Sequence, residues 1–274
     1  WFFFINITMT EYRISVIMGI YNCAPTLAES LNSLLAQTYQ GFKVIMCDDG
    51  SKDNTLDIAK EFADKYPGKF ILIRNDKNMK LAATLNHCLE YADTEYVARM
   101  DGDDISLPTR FENEINFLDN HPEYALVSCP MIHFDEEGDF KIGKVDVEPS
   151  KDIFLKTTPF CHAPVMVRTS IYQEVNGYTV KKITERREDY YLWYKIYKAG
   201  YKGFNLSEPL YKMRDDRNAR ARRVGIKSRF DAYLCTVEVA NGLGLKNVHF
   251  YAAISLLKIF APLVPYRIYR NLRK

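Results

Sequence analysis

Three carboxylates crowd into four residues at Asp101-Gly102-Asp103-Asp104, where the apolar run Tyr96–Met100 ends. Like charges that close repel one another, and an interior holds them only beside a compensating cation. Hard divalent cations, Mg²⁺ or Mn²⁺, take oxygen ligands, commonly one or two carboxylates with phosphate oxygens and waters. A buried strand running into D-x-D is therefore a candidate metal–diphosphate site. Gly102 would let the chain turn tightly and let a ligand approach. The plainer alternative is a solvated acidic turn, since Asp and Gly are ordinary turn residues. Two further acidic pairs stand at comparable places. Asp48-Asp49-Gly50-Ser51 follows the apolar run Phe42–Cys47, and Glu188-Asp189 opens a helical pattern. The first pair could be only a turn with a helix cap. The second could merely offset a helix dipole.

The elements that would position these groups follow from periodicity. Tyr12–Ile20, Phe42–Cys47, Phe70–Arg74 and Tyr96–Met100 read as strands. Between them Leu27, Leu31, Leu34 and Leu35, then Leu56, Ala59, Phe62 and Ala63, then Leu81, Leu85, Cys88 and Leu89 fall at helical spacing. Strands that are apolar throughout and alternate with helices predict a parallel sheet covered on both faces. Ligands of such sheets bind beyond the carboxyl ends of the strands. Three strands end in polar clusters, Tyr21-Asn22, Asp48-Asp49 and Asp101–Asp103, which should converge on one crevice. The later chain is mixed. It has a helix after Pro108, a strand over Ala125–Cys129, a hairpin turn at Asp135–Asp139 and a strand-like Phe160–Arg168 interrupted by Pro164. A helix over Glu188–Ala199 and short strands at Phe204–Leu206 and Leu210–Met213 follow.

Composition narrows the function classes. The 274 residues are 47% hydrophobic and 26% charged, a globular balance with room for one large domain. No run is long and apolar enough to span a bilayer. Trp1–Ile5 is apolar but lacks the basic flank and cleavage site of a signal peptide, and Met9 is a candidate initiator. The six cysteines form no C-x-x-C, which argues against zinc and for a reduced, cytoplasmic setting. Charge is uneven. From Arg217 onward there are 12 Lys/Arg against two Asp/Glu, leaving 25 against 33 before it. A basic tail suggests an anionic partner. The apolar Phe250–Tyr269 with its basic end suits a membrane surface, or else docks on the body. Arg217, Arg220, Arg222 and Arg223 lack interleaved aromatics, so nucleic acid is not the expected partner. We divide the chain into a catalytic domain over residues 10–216 and a basic helical tail over 217–274.

In order and spacing, Ser15-Val16-Ile17 with Tyr21-Asn22, Cys47–Asp53 and Asp101–Asp104 resemble the inverting glycosyltransferases of family 2, which have a GT-A fold. Asn78, Leu81-Ala82-Ala83 and Asn86 are similar to that family's helix entry, with Lys80 standing where Gly or a neighbour is usual. Glu188-Asp189 resembles its E-D motif. Phe160-Cys161-His162 and Gly177-Tyr178 resemble the stretch between. The match runs from Arg13 to Arg214. The resemblance implies an α/β fold with a mostly parallel sheet, a nucleotide-diphosphate donor, UDP-linked in many members, and Mn²⁺ or Mg²⁺. It implies that Asp49, Asp48, Tyr21 and Asn22 bind the nucleotide, that Asp101 contacts the ribose or donor side, and that Asp103 binds the metal with Asp101 beside it. Asp189, or Glu188 next to it, becomes the general base. The chain departs from the family at Tyr211-Lys212-Met213-Arg214, where Tyr-Arg and a downstream His are usual, so either Lys212 or Arg214 serves the diphosphate. His162 is either a satisfied core residue or a contact to acceptor or phosphate. The implied activity is transfer to a saccharide or polyprenyl-linked acceptor on the inner membrane face, in surface polysaccharide assembly. The rival readings are a nucleotidyltransferase, whose glycine-rich loop is absent after the first strand, and a non-catalytic sugar-nucleotide-binding or membrane scaffold protein.

Overall fold

The computed structural model describes residues 12–215 and 226–257. A seven-stranded sheet is built from β1 (Ile14–Ile20), β2 (Phe42–Asp48), β3 (Phe70–Arg74), β4 (Tyr96–Arg99), β6 (Tyr124–Ser128), β9 (Met166–Arg168) and β10 (Lys202–Asn205). Its order is β10-β6-β9-β4-β1-β2-β3. The β4-β1-β2-β3 half is parallel, and β9 alone runs against both its neighbours. A second sheet, ordered β5-β11-β7-β8, joins β5 (Ile105–Ser106), β7 (Met131–Asp135), β8 (Gly138–Ile142) and β11 (Tyr211–Arg214).

Side-chain alternation along the strands divides the core. Val16, Met18, Val44, Met46 and Ala98 face one layer with Leu27, Leu31 and Leu34 of α1 (Ala24–Leu35) and Phe111, Ile115 and Leu118 of α4 (Arg110–Asn120). Ile17, Ile45 and Val97 face the other, with Leu85 and Cys88 of α3 (Leu81–Leu89) and Leu192, Trp193 and Ile196 of α6 (Glu188–Lys198). These strands are apolar at every position because both faces are covered. Two further helices, α2 (Thr55–Lys65) and α5 (Thr169–Glu174), pack against β3 and β9.

The four opening strands and three helices stand where periodicity puts them. The expected strand over Phe160–Arg168 is shorter, confined to Met166–Arg168, because Pro164 and the turn before it carry no ladder. Of the basic tail, α7 (Ile226–Gly242) and α8 (Val248–Leu257) are described. Cys235, Val239, Ala240 and Val248 are buried in the same core as Trp193. Arg187 Nη1 donates to the Ala232 carbonyl and to Thr236 Oγ1, at 2.7 and 2.8 Å, fixing α7 beside the start of α6. The run Arg217–Arg223 and the chain beyond Leu257 lie outside the described residues. Among the described residues no helix is long and apolar enough to cross a membrane.

Candidate active site

The tips of β1 and β2 are tied together by their own polar residues. Asn22, at φ +49°, accepts from Lys52 N–H at 2.8 Å and donates its N–H to Ser51 Oγ at 3.1 Å. Asp48 is fully buried, accepts from Ser51 N–H and pairs with Arg74 at 3.2 Å. Asp49 holds the loop leading into α3. Its carboxylate accepts from Asn75 Nδ2 at 2.8 Å, Met79 N–H at 2.7 Å and Lys80 N–H at 2.9 Å. Asn75 is fixed in turn by His87 and Thr84. Lys80, the residue before α3, has φ +68° and ψ 164°. That region is essentially restricted to glycine and costs a side chain of order 1–3 kcal/mol.

At the tip of β4 the compensating cation belongs to the chain. Arg99 is 3% exposed and grips Asp101 with both terminal nitrogens, Nη1 to Oδ2 at 2.8 Å. Asp101 N–H donates to the Tyr211 hydroxyl at 3.2 Å. Asp104 is buried and accepts from Arg214 N–H at 2.8 Å, and burial beside Asp101 and Asp103 pushes its carboxyl well above the usual range. The acid cluster therefore does not itself require a metal for its burial. Gly102 has a packing reason that the sequence did not suggest. A Cβ there would lie 2.7 Å from Cys23 Sγ, and Thr26 Oγ1 donates to its carbonyl, so the turn sits directly on the start of α1.

Asp103 is the second acid of the D-x-D turn, the position that the family resemblance assigns to a divalent ion. Among the described residues no three His, Cys, Asp or Glu gather into a metal cluster. One carboxylate still fits Mg²⁺ or Mn²⁺, which keeps waters and takes phosphate oxygens rather than a protein cage.

The start of α6 carries Glu188, which lines the cavity that Asp49 also borders, and Asp189, which is not among its lining residues. Glu188 Oε1 accepts from Arg186 N–H at 2.9 Å, and Arg186 itself has φ +64°. Burial raises both carboxyls above their ordinary values, partly offset by backbone N–H groups and by the Arg99 charge. Arg187, two residues before Asp189 in the chain, adds a second favourable charge to the Asp189 carboxyl. Tyr21, Asp49, Asn78, Lys80, Glu185 and Glu188 line one cavity of about 340 Å³, closed on one side by Gly19, Ile20, Leu81 and Thr84.

Residues 15–175 match the model of the glycosyl transferase family 2 domain. The chain belongs to glycosyl transferase family 2. It is 43% identical over 251 residues to EpsE of Bacillus subtilis (strain 168), covering 91% of this chain and 90% of that one. It is 28% identical to the UDP-Glc:alpha-D-GlcNAc-diphosphoundecaprenol beta-1,3-glucosyltransferase WfaP of Escherichia coli, over 88% of this chain and 93% of that one. Among solved structures, S. aureus TarS 1-349 in complex with UDP-GlcNAc superposes with a TM-score of 0.68 at 19% identity, over 90% of this chain and 71% of that one. The fold is GT-A, and the protein is a glycosyltransferase.

The remaining candidates of this family 2 chain are placed as follows. Lys212 extends to Asp139 of β8, at 2.7 Å, away from the acid turn. Arg214 wraps that turn, donating Nε to the Asp103 carbonyl at 3.0 Å and Nη2 to Glu29 at 2.5 Å. His162 Nε2 lies 2.9 Å from the Tyr178 hydroxyl, and burial beside Arg99 holds the ring neutral, well below its ordinary pKa. Arg99 and Tyr211 were not among the sequence candidates. A lone arginine inside the apolar run Tyr96–Met100, immediately before the acids, is the signal that could have found the first. Tyr211 carries no comparable mark, since it meets Asp101 only through the second sheet.

Proposed function

We propose that this chain transfers a sugar from a UDP-linked donor to a saccharide or polyprenyl-linked acceptor, with inversion, using Asp189 as general base and a divalent ion at Asp103. The observation that carries the reading is one shared cavity wall. Tyr21, Asp49 and Asn78 of the expected nucleotide end line the same cavity as Glu188, the residue beside Asp189 at the start of α6.

The chemistry follows from that arrangement. The acceptor hydroxyl is a poor nucleophile, and a desolvated carboxylate is a stronger base than one in water. Asp189 takes the hydroxyl proton as the oxygen bonds to the anomeric carbon. The bond from that carbon to the diphosphate breaks on the opposite side, so the configuration inverts and the nucleoside diphosphate leaves. Tyr21, Asn22, Asp48 and Asp49 form or support the nucleotide pocket. Arg214, seated on the Asp103 carbonyl, lies nearer to where a diphosphate would meet Asp103 than Lys212 does. Asp103 would hold Mg²⁺ or Mn²⁺, which supplies charge stabilisation to the departing diphosphate. His162, neutral and bonded to Tyr178, orients that tyrosine or an acceptor hydroxyl and does not act as a cation.

WfaP is a glucosyltransferase named for an alpha-D-GlcNAc-diphosphoundecaprenol substrate, and TarS 1-349 is solved in complex with UDP-GlcNAc. These support a lipid-linked acceptor and a uridine donor here. The excess of basic residues from Arg217 onward supports a peripheral position at the cytoplasmic membrane face. The test is Asp103→Ala, assayed by nucleotide release from UDP-sugars with acceptor and Mn²⁺. Transfer should vanish while the melting temperature holds. Full metal-dependent turnover in that variant would refute the site.

A further inference from the structure

Lys80 is held in a backbone conformation that glycine alone takes without strain. The bonds that hold it are main-chain bonds. Its N–H donates to Asp49, and its carbonyl accepts from Thr84 N–H at 3.0 Å. Glycine would keep both bonds and lose the strain, so neither explains a lysine.

The side chain must supply the reason, and it crosses the cavity wall. Lys80 Nζ reaches Glu185 Oε1 at 2.6 Å, with side chains 60% and 42% exposed. An ion pair that open contributes little to stability, too little to offset the backbone strain. The same cavity wall carries Tyr21, Asp49 and Asn78, whereas Asp101 and Asp103 are not among its lining residues. The ammonium therefore borders the part of the crevice farther from the acid turn, where a base would sit if the diphosphate meets Asp103.

We infer that Lys80 is a specificity-determining residue: its ammonium leaves Glu185 when the donor enters and donates to a carbonyl oxygen on the edge of a uracil base. This rests on the donor site proposed above. An ammonium has donors only. Uracil offers an acceptor at position 4, where cytosine offers an amino donor, so Lys80 favours uridine over cytidine nucleotides. A polar contact of this kind is expected to contribute about tenfold or more in discrimination.

The experiment is calorimetric titration of UDP and CDP, with Mn²⁺, into the full chain and into Lys80→Met and Lys80→Gly, with melting temperatures for all three. The parent should bind UDP about tenfold more tightly than CDP. In both variants UDP should weaken toward CDP while CDP is unchanged, and Lys80→Gly should melt higher than Lys80→Met. Equal weakening of UDP and CDP would make Lys80 a phosphate contact and overturn base reading. A preserved UDP preference in both variants would also overturn it, leaving the donor site standing. If the parent binds neither nucleotide, the donor site fails and the Lys80 assignment falls with it.

Discussion

Asp49 at the tip of β2 and Glu188 at the start of α6 line the same cavity, but the acids at the strand tips and those of α6 are treated differently by the chain. Asp49 is engaged by three donors and Asp101 by Arg99; Asp104 is the exception at this end, raised by burial although it accepts a main-chain N–H. These carboxylates shape loops before they touch any ligand. Glu188 is buried and Asp189 half-buried, both with their ordinary ionisation opposed by desolvation, and the charges around them offset that only in part. Binding needs fixed geometry, and proton abstraction needs a base of raised pKa. The two ends of the crevice divide these requirements.

The comparison is broken most directly at Asp189. Asparagine keeps the shape and removes the base. We expect Asp189→Asn to lower kcat by about 10²–10⁴-fold with nucleotide affinity unchanged, as read by steady-state kinetics beside calorimetry. A loss of affinity instead would move Asp189 to the binding end and erase the division.

Much of this was legible in the sequence, and the part that was not has a physical cause. The β-α alternation to Met100 could be read because strands buried on both faces are apolar at every position. The acid pairs could be read because charge directly after such a run is conspicuous. The second sheet could not be read. Its β5 has two residues, and its partner β11 lies more than a hundred positions later. No local pattern predicts such a pairing. Nor could the roles of the acids be separated, because partnering is a property of the fold: Asp49 and Asp189 are both simply acids beside another acid until Asn75, Met79 and Lys80 are seen to close on the first. Lys80 was visible as a departure from a familiar pattern, but its cost appears only in the backbone angles.

The binding end is tested at Asp49. Asp49→Ala removes three hydrogen bonds to a charged acceptor and frees the loop over residues 75–80. A loss of about 3 kcal/mol is expected, roughly 6–12 °C in melting temperature, together with weakened UDP binding. An unchanged melting temperature would show that the loop is held by other contacts and that Asp49 acts on ligand alone.

The mildest intervention is a change of pH. A base must be deprotonated to act, so kcat should rise with pH through a limb lying above the ordinary aspartate range, because burial raises the carboxyl of Asp189. Stability should move the other way. A carboxyl whose pKa is raised in the folded state binds its proton more tightly there than in the unfolded chain. The stability this contributes is present at low pH and is lost as pH rises through the raised value. Activity and melting temperature should therefore diverge across the same interval. Asp189→Asn should flatten its share of the melting curve's pH dependence, leaving that of Glu188, whose carboxyl is raised in the same direction. If kcat instead reaches its plateau within the ordinary aspartate range, the acids of α6 are as well partnered as those at the strand tips, and the base must be sought elsewhere.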